Sequence, residues 1–416
     1  MVLFIYRSLI NIIFILSPII VLIRILKKKE DLKRFKEKFC FFSKKKIKKE
    51  LIWFHGASVG EISSIIPLVF KLEENKKIDQ ILITSSTLSS ANVLKKFKFK
   101  KTIHQFYPID TNHISKKFIN YWSPSLAIFI DSEIWPNMLL NLKKKSIPIF
   151  LLNARITKKS FNRWKKLGEF SKKIFQCFEK SLVSNQETVK YLKYFKVKNI
   201  KFFGNLKFVQ NKNKNLSLPT KIQNIILSKK NWCASSTHEG EELICLKVHK
   251  NLKNKYKNFF TIIIPRHIDR SAEIVRMIKD QNLKVHRHSW KSKVPSDLDI
   301  YLVDTYGETE KFFNLIKIVF IGGSLVNHGG QNPLESVRHG CNVLHGPNVH
   351  NFKNIYNYLD RIKLSTKVVN DKSLCKSIDK LFKSKTKTKS VVKKVKKLGD
   401  SVFFNTVKEI NKTLAK

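Results

Sequence analysis

After residue 50 the chain alternates short apolar runs with stretches of helical spacing. Leu51–His55, Ile81–Thr84, Leu126–Ile130, Ile147–Leu152 and Ser181–Val183 read as buried strands. Between them, Ile62–Leu72, Ile134–Leu142 and Lys159–Phe178 carry helical periodicity. Near-continuous apolar strands separated by helices predict a parallel sheet covered on both faces. The run Gln210–Thr220 (QNKNKNLSLPT) is polar and reads as a linker. The alternation then restarts, with strands at Trp232–Ser235, Phe259–Ile264, Ile300–Val303, Ile316–Ile321 and Val343–Leu344. Helices are expected at Glu239–Asn254, Asp269–Gln281 and Asn332–His339, and the basic tail Lys383–Lys416 reads as largely helical. The pattern predicts two Rossmann-like α/β domains, at 51–209 and 221–416, joined by a linker at 210–220. Ligands in such sheets bind beyond the carboxyl ends of the strands, so a cleft between two of them is the expected active site.

The first 50 residues follow another pattern. Ser8–Ile23 reads SLINIIFILSPIIVLI, without a charge between Arg7 and Arg24. That stretch is just short of the ~20 residues needed to cross a bilayer. Counting Val2 to Leu26, with both arginines snorkelling, gives enough length. From Lys27 to Lys49, 12 Lys/Arg stand against Glu30, Asp31 and Glu37. Such a block marks a cytoplasmic flank and suits anionic headgroups. No small-residue cleavage site follows Ile23, which argues against a cleaved signal; a buried core helix is the other reading. Residues 1–26 are expected to be a membrane anchor, spanning or lying in the surface. Residues 27–50 are expected to be a basic juxtamembrane segment, with a cytosolic body after it.

Composition adds two constraints. Apolar residues make up 43% of the 416, enough for packed cores, so a wholly disordered chain is excluded. The six cysteines are scattered without a C-x-x-C pair, which argues against a structural zinc site and a disulfide framework. The formal charge is +50, from 81 Lys+Arg against 31 Asp+Glu. Such a field attracts phosphates of any kind. A nucleic-acid binder would gather basic and aromatic residues on one surface. Here lysine is spread along the whole chain, so nucleic acid is not the expected partner.

Candidate chemistry sits at strand ends. His55-Gly56-Ala57-Ser58-Val59-Gly60-Glu61 turns a strand into a helix, and Glu61 either complements the helix dipole or acts as a general base. Asp131-Ser132-Glu133-Ile134-Trp135-Pro136-Asn137 puts two acids at another strand end, with helix capping as the plainer reading. Arg155 follows a third strand and would bind an anion or pair with those acids; Lys207 lies in Gly204–Phe208. In the second half, Ser235–Glu242 has a helix-start signature and lacks the second His of a zinc H-E-x-x-H pattern. Arg266 ends an apolar strand and suits a phosphate. Gly329-Gly330 precedes Asn332-Pro333-Leu334-Glu335, where free backbone N–H groups would bind an anion and Glu335 would accept from sugar hydroxyls. Together, Gly-rich turns, a strand-end Arg and a helix-borne Glu suggest a nucleotide-sugar site.

The strings WFHGASVGEISSIIPL, DSEIWPN, IPIFLLNARIT, FFGNLKF, ASSTHEGEE, IIPRHIDR and GGSLVNHGGQNPLES, in this order from about Leu51 to Phe352, resemble the Kdo transferases of lipid A assembly, Kdo being 3-deoxy-D-manno-oct-2-ulosonic acid. The resemblance implies a GT-B fold, two Rossmann-like domains facing across a cleft, and an inverting glycosyltransferase. It implies CMP-Kdo as donor, lipid IVA as acceptor, no metal or other cofactor, and a place on the cytoplasmic side of the bacterial inner membrane beside anionic lipids. Glu61 matches the family's proton acceptor, and Glu133 and Lys207 its transition-state stabilisers. Pro265 and Arg266, then Gly307, Glu308 and Thr309, then Asn332, Pro333, Leu334 and Glu335 match its CMP site. Gln331 stands where the family usually has His and Ser336 where Pro often follows, and GETE departs from the family's GEL-like segment. Altered contacts at Gln331, with activity retained, are expected. A lipid A disaccharide synthase type using a UDP-sugar is the rival reading, which the STHEGEE and SVGE strings disfavour.

Overall fold

The computed structural model describes residues 1–47, 50–209, 217–384 and 388–415. The chain divides into two compact units: Met1–Asn211 together with Leu398–Lys416, and Lys212–Lys397. Most of the expected linker, 210–216, lies outside the described residues; beyond it Leu218 is buried and Pro219 precedes helix Thr220–Ser228.

In the first unit, β1 (Leu51–His55), β2 (Gln80–Ser85), β3 (Thr102–Phe106), β4 (Leu126–Ile130), β5 (Ile149–Ala154), β6 (Lys180–Val183) and β7 (Ile200–Phe202) form one sheet. Its order is β3-β2-β1-β4-β5-β6-β7 and every pairing is parallel. Alternate residues serve opposite faces, as the two-residue strand period requires. Trp53, Ala127, Phe129 and Leu151 pack on one side. Ile52, Phe54, Ile128, Ile130 and Leu152 pack on the other. The sequence pattern missed β3 and β7. Both are edge strands, and TIHQF and IKF carry the polar residues that an edge tolerates.

Five helices of this unit bear on the site: α1 (Val2–Leu26), α2 (Val59–Glu73), α3 (Leu88–Leu94), α4 (Asn112–Trp122) and α5 (Pro136–Lys144). α1 is long and apolar enough to cross a membrane, yet one stripe of it is docked on the body. Leu3 and Phe14 pack against the Trp53 face of the sheet, and Ser17 and Val21 are buried. The spacing is helical, so these residues share one side. The opposite side stays bare: Phe4 is 75% exposed, Ile15 73% and Leu26 75%, with Leu9, Ile12 and Ile19 also exposed. The basic segment after it is folded down by its own acids. Glu30 is buried between Arg24 (2.9 Å) and Lys38 (2.6 Å). Buried Glu37 pairs with Arg34 (2.7 Å) and accepts from the Phe106 backbone (2.8 Å), tying the segment to β3.

The second unit repeats the plan with β8 (Lys230–Thr237), β9 (Phe259–Pro265), β10 (Val285–Arg287), β11 (Ile300–Leu302), β12 (Ile318–Ile321), β13 (Asn342–His345) and β14 (Ser365–Lys367). The order is β10-β11-β9-β8-β12-β13-β14, again all parallel. Trp232, Ala234, Ile263, Leu302 and Phe320 lie at its centre.

The tail departs from expectation. Residues 398 onward, expected in the second domain, belong to the first unit. Helix Thr388–Leu414 buries Val402 and Ile410 in the Ile52 face of the first sheet. Glu409 pairs there with Lys201 (2.8 Å) and Lys180 (3.4 Å). Apolar residues facing a core in another unit look, in sequence, like any amphipathic helix.

Candidate active site

Each sheet has a central strand-order reversal, between β1 and β4 in the first and between β8 and β12 in the second. Chains leaving the strands diverge there and open a crevice at the carboxyl ends. The first unit's candidates flank its reversal.

Glu61 is the third residue of α2, where it completes a capping box with Ser58. Its Oε2 accepts from the Ala57 N–H (2.7 Å) and more weakly from that of Ser58 (3.4 Å), and the Ser58 hydroxyl donates to Oε1 (2.8 Å). The plain capping role therefore exists. It also fixes the carboxylate in one orientation, with lone pairs to spare for a proton. A Cβ at Gly60 would stand 3.9 Å from Lys207 Nζ, so the Lys207 ammonium abuts the turn just before Glu61. Lys207 is held by the Asn205 side chain, which accepts its N–H (2.9 Å); Asn153 accepts that of Leu206 (3.0 Å).

Asp131 and Glu133 leave β4. Asp131 adopts a left-handed φ of 60°, a costly conformation for a residue with a Cβ. Burial pushes its carboxyl up to about 6; the charges of Glu61 and Glu133 add to this, while Lys207 and Arg155 oppose it. Asp131 therefore feels charges of both signs from the neighbouring strand ends. Glu133 is held otherwise. Its Oε2 accepts from Trp135 Nε1 (2.9 Å) and lies 3.2 Å from His55 Nε2. Burial raises its pKa, but the His55 and Trp135 hydrogen bonds and the His55 charge outweigh burial and leave it below the usual carboxylate value. His55 Nδ1 lies 3.0 Å from Thr84 Oγ1, which accepts from Trp53 Nε1 (2.9 Å). His55 Nδ1 also lies 3.3 Å from the Thr84 carbonyl oxygen, so the imidazole bridges Thr84 and Glu133. Two acids two residues apart are thus tuned in opposite directions, Asp131 toward the neutral form and Glu133 toward the charged one.

In the second unit, β8 ends at Thr237 and leads into His238, and β12 ends at Ile321 and leads into Gly322-Gly323-Ser324. The two ends nearly touch. A Cβ at Gly322 would lie 2.4 Å from the Ser236 carbonyl oxygen, so only glycine fits. Glu241, fully buried, accepts four backbone N–H groups: His238 (3.0 Å) and Gly323 (2.6 Å) on Oε2, Ser324 (3.0 Å) and Leu325 (2.9 Å) on Oε1. It is the scaffold of this crevice, a role that the helix-start signature of the sequence only half disclosed. His238 lies against His328 with the rings tilted by 33° (3.8 Å between centroids), and its Nε2 lies 3.0 Å from Gln331 Nε2. Burial, then the neighbouring His328, His267, Arg266 and Arg270, lower its pKa to about 4. A neutral imidazole accepts from the Gln331 amide, so Gln331 keeps a polar partner.

Pro265 is buried at the end of β9, and Arg266 is exposed, its N–H donating to the Thr237 carbonyl (3.0 Å). Gly307 has φ +83°, Glu308 pairs with Lys311 (2.8 Å), and Thr309 opens helix Thr309–Phe313. Asn332 accepts the Leu334 N–H (3.1 Å), Leu334 is buried, and Pro333 and Glu335 bracket the start of helix Leu334–Arg338. Burial and Glu310 raise the Glu335 carboxyl. One expected donor is taken here. The N–H groups near Gly329-Gly330 are not all free: Gly330 donates to the Gly323 carbonyl (2.7 Å), and the helix is only five residues long, too short for a strong dipole.

A family model described as 3-deoxy-D-manno-octulosonic-acid transferase (kdotransferase) matches residues 33–210. The 3-deoxy-D-manno-octulosonic acid transferase of Rickettsia bellii is 36% identical over 332 residues, covering 78% of each chain. The chain belongs to the Kdo transferase family. The Kdo transferase of Rickettsia prowazekii is 32% identical (78% of this chain, 80% of that one), and that of Haemophilus influenzae 31% (68% and 67%). Among solved structures, a UDP-GlcNAc 2-epimerase from Neisseria meningitidis superposes with a TM-score of 0.58 at 14% identity (88% of this chain, 99% of that one). A glycosyltransferase from Rickettsia africae gives 0.58 at 12% (89% and 100%). These two show the fold alone, which is GT-B. As a Kdo transferase the chain is a glycosyltransferase of lipopolysaccharide biosynthesis.

Proposed function

We propose that this Kdo transferase moves Kdo from CMP-Kdo to lipid IVA with inversion at the anomeric carbon. The observation that carries the reading is the position of Glu61 after β1 and of Asp131 and Glu133 after β4, on either side of the strand-order reversal of the first sheet, with the Lys207 ammonium beside the Gly60 turn. The acceptor hydroxyl oxygen attacks the anomeric carbon, the bond from that carbon to the CMP phosphate oxygen breaks, and the hydroxyl proton passes to Glu61. General-base catalysis of this kind typically contributes about 10²–10⁴-fold. Glu133, held ionised by His55 and Trp135, stabilises positive charge developing on the sugar, and Lys207 the negative charge. Pro265 and Arg266, Gly307–Thr309, and Asn332–Glu335 hold the CMP moiety, with Arg266 on the phosphate. The reading gives no role to a metal or another cofactor.

The bare side of α1, flanked by Arg24 and the lysines after it, supports a place on the anionic cytoplasmic face of the inner membrane. Docking along one stripe favours a helix lying in the surface over one that crosses. The test is mass spectrometry of lipid IVA after incubation with the purified chain and CMP-Kdo, with UDP-GlcNAc as competing donor. A Kdo adduct is expected; a hexosamine adduct, or none, rejects the reading. Glu61→Gln should keep CMP binding and lose transfer by about 10²-fold or more, and near-normal turnover would reject Glu61 as the base.

A further inference from the structure

The bare side of α1 explains attachment to a membrane, but its docked side reaches the segment that carries Glu133. The Tyr6 hydroxyl donates to Asp110 Oδ2 (2.7 Å). Asp110 is 1% exposed, and it also accepts the N–H groups of Asn137 (3.0 Å) and Met138 (2.8 Å) in the first turn of α5. Its carbonyl oxygen accepts from Asn137 Nδ2 (2.7 Å). Arg7 completes the knot: Nε donates to Asn137 Oδ1 (2.9 Å) and Nη2 to Asn112 Oδ1 at the start of α4 (3.2 Å).

α5 has no side-chain cap of its own, because its N-cap position is Trp135. An unfilled helix start leaves donor groups that must find acceptors elsewhere. Asp110 supplies them from another strand end, 27 residues earlier in the chain. The residue that fails to cap α5 is also the residue whose indole N–H holds Glu133. The place where α5 begins therefore sets Trp135, and Trp135 sets the Glu133 carboxylate. The Asp110 carboxylate that fixes that place is buried, so it depends on its donors and on the Arg7 charge.

We infer that α1 is a positioning element of the transfer site. Tyr6, Arg7 and Asp110 act as positioning residues that lock the start of α5 and, through Trp135, the orientation of Glu133. The lipid-facing helix is in this view part of the active-site framework, and its removal disturbs the chemistry as well as the attachment. The kinetic part of this inference rests on the Kdo-transfer reading; the structural part does not.

The test uses the full chain on vesicles containing anionic phospholipid, comparing the Tyr6→Phe/Arg7→Gln double variant with wild type. Hydrogen exchange should speed up across residues 131–140 and stay unchanged in α2. Flotation with the vesicles should persist, because the bare side of α1 is intact. Turnover should fall by roughly 10–100-fold, the scale of an ångström-sized misplacement, with KM for CMP-Kdo unchanged. Tyr6→Phe alone, which removes one hydroxyl and leaves Arg7 in place, should shift exchange in the same direction by a smaller amount. Wild-type exchange across 131–140 in the double variant overturns the inference. So does a loss of activity that matches a loss of flotation, since detachment would then account for everything. A wild-type chain that transfers no Kdo overturns the functional reading instead, and the exchange comparison still decides this one.

Discussion

Glu241→Gln isolates the scaffold role of a carboxylate with almost no change of volume. The native side chain accepts two backbone N–H groups on each oxygen. A glutamine keeps one acceptor oxygen and turns an NH₂ toward the other pair of donors. Two buried N–H groups then lose their acceptor and face a donor. Each unsatisfied buried group costs about 1–3 kcal/mol, and hydrogen bonds to a charged acceptor are roughly twice as strong as neutral ones. The expected loss is on the order of 3–5 kcal/mol, in the range found when one partner of a buried charged network is removed. At ~2–4 °C per kcal/mol for a unit of this size, the second unit's thermal transition should fall by about 10 °C. Glu241→Ala should cost at least as much, and CMP affinity should drop in both, because the Gly323–Leu325 turn borders the crevice. The measurement is a thermal scan of both variants beside isothermal titration with CMP. A Glu241→Gln transition within about 2 °C of wild type would refute the reasoning, since it would mean that the four N–H groups do not depend on the charge.

Asp131 carries the pH prediction. Its carboxyl is raised to about 6 in the folded chain, above the ~3.9 of an unfolded one. The folded state binds the extra proton between those values, so wild-type stability falls as pH rises from about 4 to 6 and is level above. Asp131→Asn should therefore gain on wild type across that window, by on the order of 2 kcal/mol at pH 7, as read by urea denaturation at pH 4.5 and 7; an equal difference at both pH values would contradict the assignment. Ile410→Ala, fully buried against the first sheet, should cost about 2–5 kcal/mol and open helix Thr388–Leu414 to protease, whereas intact resistance would show that the tail contributes little.

Strands buried on both faces were legible because burial on both faces leaves an unbroken apolar run. β1 and β4 were placed to the residue. The edge strands β3 and β7 were not, because a half-exposed strand carries no such run. The site candidates read in the sequence as strand ends followed by Gly, acids and Arg, and Glu61 and Glu133 lie after β1 and β4, on either side of the strand-order reversal. What escaped was contact across the chain. Nothing local to His55 announces that it touches Thr84 and Glu133. Nothing near Glu241 announces Gly323–Leu325, more than 80 residues on. Nothing in the N-terminal apolar run announces Asp110, over 100 residues away. The helix-start reading of Gly329–Glu335 counted the Gly330 N–H as free for a related reason, since a local pattern cannot tell which N–H a distant carbonyl has taken.

The return of helix Thr388–Leu414 to the first sheet has a consequence for the order of events during synthesis. The hydrophobic layer beneath β1 and β4 lacks Val402 and Ile410 until residues 398–415 have left the ribosome. The half of the enzyme translated first is thus the last to close its interior. The half translated second has all its own layers in hand earlier, and can finish folding while its predecessor is still waiting with an apolar surface uncovered.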